Sequence, residues 1–467
     1  MNARVLRARV AKWIDPAVAY RELTRNSRYG IWLDAGPEPD AGRSYIAVPR
    51  GEILFASVER GTVTSVDTAS GQRTVDEATI FETLRDRLDS TQAIDSSTVD
   101  EDGFALGWVG WFGYELAAQT TGVTTVPAPT DDAVFAFVDW ALEFNHETRT
   151  MDILVLGDRG DLEERQRVID EISSHAPLAE DSAGITNTRA ASWRHSGADY
   201  LQMVRNCLAA ITAGDAYQLC LTNEVTVATE EEPVEVYLRL RRDNPSHHGA
   251  LLAMGDVSLL SSSPEVFLSI STSGLIRTKP IKGTRARSGH SSEDAALAEE
   301  LITSEKERAE NLMIVDLMRN DVGRIADLGS VQVDSLLEVE SYPHVHQLVS
   351  TVSGQLARGL SPVDAIEACF PAGSMTGAPK ISAMKILAGL ERGPRGIYSG
   401  AFGYIGLDGG VNLAMVIRSI VMSNGLATMG TGGGITSGSD PEAELEETRL
   451  KVAPLLRALG ASVNDYS

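Results

Sequence analysis

The sequence predicts an α+β fold of mainly antiparallel strands packed against helices. Three features predict it. Strand-like runs follow one another across short polar segments: Tyr29–Gly36 precedes Ser44–Val48, and Val134–Val138 and Met151–Leu156 flank a polar turn. The chain from Val266 to Ile281 reads as a hairpin turning at Thr272-Ser273-Gly274, which sets Glu265 and Lys282 at its two outer ends. No regular alternation of strand and helix runs through the N-terminal part, which argues against repeating βαβ units.

At 467 residues the chain is too long for one ordinary core and suits two lobes or one large intertwined body. Hydrophobic residues at 43% and 42 glycines mark a globular chain, not a disordered or fibrous one. The net charge of −24 argues against nucleic acid or an anionic membrane as partner, and an anionic ligand would need a local cationic pocket. Cys207, Cys220 and Cys369 form neither a disulfide framework nor a metal-ligand spacing. No run of 18 apolar residues exists, and the basic Met1–Lys12 is followed by no apolar core of a signal peptide. The expectation is a cytoplasmic protein that spans no membrane.

Along the chain, Gly107 to Glu115 interleaves glycine with aromatics, as where backbones approach closely inside a sheet. Arg159–Ser174 reads as a charged helix. His175–Ser192 is small and polar without a period, and is expected to be a linker between residues 1–174 and 193–467. Beyond it come a helix at Asp199–Gly214, a strand at Leu219–Val227, a helix at Pro233–Asp243, and strands at Ala250–Met254 and Ser258–Ser261.

Thr278 to Arg287 carries one lysine, Lys282, between a Pro-interrupted strand end and a Gly-Thr turn. Burial, with the two arginines that follow, would depress its pKa and leave a usable amine nucleophile. On this segment alone, a solvated lysine at a strand-turn junction is the simpler account. Ser304-Glu305-Lys306-Glu307 is a capping-box pattern, and Glu310 shares the apolar stripe of Met313, Ile314 and Leu317. A buried acid needs a partner, either a hard cation or an arginine. For Glu307 the cap is as good an account as a metal. Asp440 and Pro441 open a last helix on which Glu444, Glu447 and Lys451 share a face; a solvated Glu447–Lys451 pair explains that pattern locally.

Two glycine-rich stretches, Phe370 to Lys380 and Gly430 to Gly434, are expected to be loops; the first does not fit P-loop spacing, and the second could cradle a carboxylate. His344 and His346 lack a third metal ligand and read as ordinary polar residues.

Taken in order, Ser263-Pro264-Glu265, Pro280-Ile281-Lys282-Gly283-Thr284, Glu307-Arg308-Ala309-Glu310-Asn311, Gly373–Lys380, Tyr398-Ser399-Gly400-Ala401, Ile417-Arg418-Ser419, the Gly432 stretch and Glu444–Lys451 resemble the anthranilate synthase component I family of chorismate-utilising enzymes. The resemblance spans Asp199 to the C-terminus and, more loosely, the Leu33 and Trp108 regions. It implies two stacked antiparallel sheets flanked by helices, with chorismate bound between them. It implies Mg²⁺ held by Glu310 and Glu447, with Glu307 and Glu444 behind them. Tyr398 and Arg418 match residues that grip the enolpyruvyl carboxylate, and Thr284, Gly432, Gly434 and Lys451 match further substrate contacts.

Two positions indicate the branch. Related isochorismate and salicylate synthases carry a water-activating lysine where this chain has Gln218. Anthranilate synthases usually carry alanine where it has Lys282. The resemblance is therefore greatest to the aminodeoxychorismate-forming branch, which serves p-aminobenzoate and folate synthesis. There Lys282 is the implied nucleophile and Glu265 the general acid. Ammonia would come from a separate glutamine amidotransferase subunit, because no Cys/His pair here sits in a nucleophile-elbow context. Anthranilate synthesis, or a catalytically silent chorismate-binding relative, are the competing readings.

Two departures stand out. Gln347 precedes Leu348-Val349-Ser350 where much of the family has histidine, so no catalytic histidine is expected. Leu33-Asp34-Ala35 replaces a Leu-x-Ser element belonging to a tryptophan site in relatives, which argues against tryptophan feedback.

Overall fold

The computed structural model describes residues 4–37, 39, 41–90, 99, 103–175, 189–342 and 345–462. Within them two sheets of 12 strands each form the body. In the first, Val5–Arg9, Thr150–Leu156, Trp140–Asn145, Arg43–Ala47 and Tyr29–Asp34 lead to His248–Met254 and Val257–Ser263. Ser419–Ser423, Leu426–Ile435, Gln218–Ala228 and Ala191–Trp193 complete it, with the short Gly377–Ala378 beside Gln218 and Leu219. In the second, Ile281–Ala286, Val345–Gln355, Leu275–Thr278 and Val266–Ile270 lead through Val411–Met415 and Ala401–Gly406 to Gly107–Phe112 and Ala133–Val138. Both sheets interleave strands from either side of the expected linker, of which residues 176–188 lie outside the described residues.

Alternation along the strands explains the stacking. Val109 and Trp111 join Ile31, Ala47, Ala250 and Leu252 of the other sheet in a shared core. Trp108 and Phe112, on the opposite face of the same strand, pack with Ile314, Val315 and Met318 of helix Glu305–Gly323. The outer face of the first sheet is covered by Pro16–Thr24, Pro233–Asp243 and Pro441–Ala458. The order of layers is thus helix, sheet, sheet, helix. Gly110 shows why glycine interrupts the aromatics: a Cβ there would lie 1.9 Å from the Val134 carbonyl oxygen of the neighbouring strand.

The structure corrects three local expectations. Val134–Val138 and Met151–Leu156 are not partners: an unforeseen strand, Trp140–Asn145, pairs with Thr150–Leu156 in the first sheet while Ala133–Val138 lies in the second. The 275–281 strand ends at Thr278 and resumes at Ile281. Gly430 to Gly434 is no loop but the interior of strand Leu426–Ile435, with Gly432 opposite Thr222 and Gly434 opposite Cys220. Elsewhere local signals held: helix Pro233–Asp243 has the expected bounds, and the Asp440 side chain accepts from Ala443 N at 3.0 Å as the cap of the last helix.

Candidate active site

Lys282 lies on the edge strand Ile281–Ala286 of the second sheet, where Gly283 adopts φ +82° and breaks the register. Its ammonium faces the first sheet: a Cβ on Gly434 would stand 3.6 Å from Lys282 Nζ and 2.6 Å from Gln218 Nε2. A side chain at 434 would fill the space between the two groups, which is the physical reason for glycine there. Gln218 is wholly buried, and among the described residues neither its Oε1 nor its Nε2 has a hydrogen-bond partner. Such a group is costly in a folded interior unless something outside the chain satisfies it.

Glu265 follows strand Val257–Ser263 and is 9% exposed. Burial pushes its carboxyl above the ordinary range, against the opposing pull of Lys282, a hydrogen bond with Ser374, and Lys451. Ser374 lies in the 3₁₀ turn Gly373–Met375, so the first glycine-rich stretch forms part of the wall. Behind it, buried Arg395 donates to the carbonyls of Met375 at 2.6 Å and Cys220 at 2.9 Å while pairing with Glu391 at 2.7 Å. One guanidinium thus ties this turn to the strand that carries Gln218.

The four expected metal carboxylates come from two helix starts. Glu310 (8% exposed) and Glu444 (2%) are buried, whereas Glu307 and Glu447 are half-buried. A Cβ on Gly433 would lie 2.8 Å from Glu444 Oε2 and 3.9 Å from Glu447 Oε1, so the glycine strand and the last helix shape one recess. Burial raises the Glu310 pKa against Lys282 and Lys306, and Glu307 and Glu444 raise it further. Burial opposes ionisation of Glu447 too, but Lys451, in contact at 2.6 Å, with Lys306 and Lys282 leaves it below the usual range. Oxygen-only donors of this charge suit a hard divalent cation such as Mg²⁺. Among the described residues no three metal-binding side chains converge, so an ion held by two of these carboxylates would complete its shell with water or substrate oxygens. Only half of the capping box forms. Ser304 accepts from Glu307 N, while its own N–H is engaged by Glu300 O at 3.0 Å.

Tyr398 is packed on Gly430, where a Cβ would sit 2.1 Å from its ring. Arg418 adopts φ +49°, and burial depresses its pKa, with Tyr398 and Glu447 opposing. Among the described residues its guanidinium makes no ion pair, leaving it available to an anion. Lys451 Nζ donates to Gly432 O at 2.7 Å. Thr284 is exposed, pairs with Gln347, and its hydroxyl forms no hydrogen bond among the described residues. His346 points away from this group, bonding Asp294 at 3.0 Å and Ser341 at 2.8 Å; His344 lies outside the described residues.

The expected depression of Lys282 is overturned. Burial does push its pKa down, but Glu310, then Cys220, Glu265 and Glu447, outweigh burial and raise it. The following arginines are engaged elsewhere, Arg285 with Glu300 and Arg287 with Asp294. Sequence reasoning also passed over Ser374, Arg395 and Lys306; only Ser374 had a signal, its place inside a matched motif. Separately, Leu33–Ala35 line a cavity of about 420 Å³ with Tyr45 and His247, in which Asp34 is held by Arg241 at 2.5 Å and Tyr237 at 3.0 Å.

Comparison with known proteins identifies the family. Residues 39–457 match the model of the chorismate binding enzymes. The chain is 43% identical over 462 residues to an aminodeoxychorismate synthase of Streptomyces griseus, covering 96% of this chain and 63% of that protein. With the aminodeoxychorismate synthase of Streptomyces pristinaespiralis it shares 38% identity, over 97% of this chain and 65% of the other. It thus spans under two thirds of the length of both. Anthranilate synthase component I from Streptococcus pneumoniae superposes with a TM-score of 0.78 at 28% identity, over 96% of this chain and all of that one. The chain belongs to the chorismate-binding enzyme family.

Proposed function

We propose that the protein converts chorismate and ammonia to 4-amino-4-deoxychorismate, as the chorismate-acting component of an aminodeoxychorismate synthase. The observation that carries this reading is Lys282, an amine aimed between the sheets opposite Gly434 and within electrostatic reach of Glu265. The 43% identity to an aminodeoxychorismate synthase supports it.

In this mechanism the Lys282 amine forms a bond to C2 of chorismate. Both ring double bonds shift, C1=C2 to C1=C6 and C5=C6 to C4=C5, and the C4 hydroxyl leaves with a proton from Glu265 as water. Ammonia then adds at C4, both double bonds shift back, and Lys282 departs from C2. Net, chorismate and ammonia give 4-amino-4-deoxychorismate and water. Lys282 must be neutral to attack and Glu265 protonated to assist departure. A proton passed from one to the other creates that form without a change in net charge. Arg418 and Tyr398 hold the enolpyruvyl carboxylate. Glu310 and Glu447, backed by Glu307 and Glu444, would hold Mg²⁺, which when bound anchors the ring carboxylate and offsets the negative field on Lys282. Ammonia is supplied by a separate glutamine amidotransferase subunit.

The test is an assay of purified protein with chorismate, Mg²⁺ and ammonium at mildly alkaline pH, with products separated by chromatography. p-Aminobenzoate appearing only when aminodeoxychorismate lyase is added supports the proposal. Anthranilate in its place would assign the chain to tryptophan synthesis, a reading favoured by the structural likeness to anthranilate synthase component I.

A further inference from the structure

Lys306 stands where its helix least favours a cation. It is the second residue of Glu305–Gly323, in a first turn otherwise carrying Glu305 and Glu307, where the helix dipole prefers negative charge. Its ammonium nevertheless reaches inward, to 3.4 Å from Glu444 Oε1 and 3.9 Å from Glu310 Oε1. It therefore bridges the two most buried carboxylates of the recess, across two helices that are far apart in sequence.

The contact is loose. Charge-assisted pairs close to about 2.7–2.9 Å, and Lys451 approaches Glu447 to 2.6 Å next door. The Lys306 side chain also remains 47% exposed, so its four-carbon stem can swing into solvent without opening the core. Glu310 also feels Lys282, and Ser439 donates to Glu444 Oε1 at 2.7 Å, but Lys306 is the one cation in ion-pair contact with these two carboxylates among the described residues. A buried charge stripped of its counter-charge is strongly destabilising.

We propose that Lys306 is a tethered counter-cation for Glu310 and Glu444, which a divalent ion must displace on entering the recess. This rests on the metal reading given above. Lys306 holds the two carboxylates in place and their charge balanced while no ion is bound, and by doing so sets a threshold on the ion concentration that loads the site. Removing its charge should weaken the metal-free protein and tighten metal binding at once. A surface lysine with an incidental ion pair would do neither.

The test compares wild type, Lys306→Met and Lys306→Arg without substrate. Mn²⁺ binding is read from the electron paramagnetic resonance of free Mn²⁺, and thermal melting is followed in EDTA and in rising Mg²⁺. Lys306→Met is expected to melt below wild type in EDTA, to regain more on Mg²⁺ addition, and to bind Mn²⁺ more tightly by on the order of tenfold. Lys306→Arg should stay near wild type. Equal or weaker Mn²⁺ binding by Lys306→Met would overturn the proposal and leave the metal reading standing. Absence of binding to wild type and variants alike would overturn both. Should Lys306→Met fail to fold in EDTA, Lys306→Gln carries the same comparison.

Discussion

The side chains of Gln218 and Lys282 meet over one glycine. A Cβ on Gly434 would lie 2.6 Å from Gln218 Nε2 and 3.6 Å from Lys282 Nζ, although the two residues belong to different sheets. A neutral amide is the group that leaves the neighbouring amine undisturbed. A second amine at 218 would face Lys282 across this space and make the charged form of each less favourable.

Gln218→Lys is therefore expected to change the nucleophile. If the family resemblance holds, with an amine at this position activating water, and the proposed function is right, the variant should lose most aminodeoxychorismate output and release isochorismate. Chromatography of the products checks this; unchanged aminodeoxychorismate with no isochorismate would show that residue 218 does not select the nucleophile.

Lys282→Ala should reduce aminodeoxychorismate formation by about 10²-fold or more, the usual scale for removing a positioned reacting group. Intact-mass analysis of wild type incubated with chorismate and no ammonia should detect an adduct that the variant lacks. Full output from the variant would sink the covalent role.

The pH dependence follows from the opposite protonation states that the proposed mechanism requires of two groups. Lys282 would react neutral and Glu265 protonated, so between their pKa values the gain of one offsets the loss of the other. The rate is expected to decline at high pH, once Lys282 is fully neutral and Glu265 continues to lose its proton. Glu265→Gln should abolish the high-pH decline of kcat/KM while lowering its maximum. A profile with the same alkaline limb in the variant would assign that limb to another group.

Glu115 provides a stability prediction away from the chemistry. It is 2% exposed, its Oε2 has no hydrogen-bond partner among the described residues, and burial raises its pKa to about 8 although Arg395 N donates to its Oε1 at 2.8 Å. An unfolded glutamate titrates near 4.3, so between these values the native state holds a proton that the unfolded state has released. Stability therefore falls as pH rises through that window, by up to roughly 4 kcal/mol at pH 8. Chemical denaturation should show Glu115→Gln gaining on wild type between pH 5 and pH 8. A constant difference would disprove the linkage.

Gly430→Ala should destabilise the protein by about 1–3 kcal/mol, the range for overpacking a filled core. Its new methyl would overlap the Tyr398 ring at 2.1 Å. Equilibrium unfolding measures this; a loss under 0.5 kcal/mol would mean that the ring moves freely aside.

The sequence alone determined what depends on near neighbours. The caps at Ser304 and Asp440 and helix Pro233–Asp243 all follow from local backbone and side-chain rules. The matched motifs also brought the family within reach. Tertiary structure decided what depends on groups distant in the chain. Trp140–Asn145 escaped notice because pairing between strands is non-local, and the same holds for the glycines of 430–434, whose place inside a strand is set by Gln218–Ala228 opposite. The sign of the Lys282 shift was misjudged for a related reason. Its arginine neighbours in sequence turn to Glu300 and Asp294, while carboxylates from three other segments gather around its amine. Coulomb interaction falls with distance in space, not along the chain, and only the fold sets those distances.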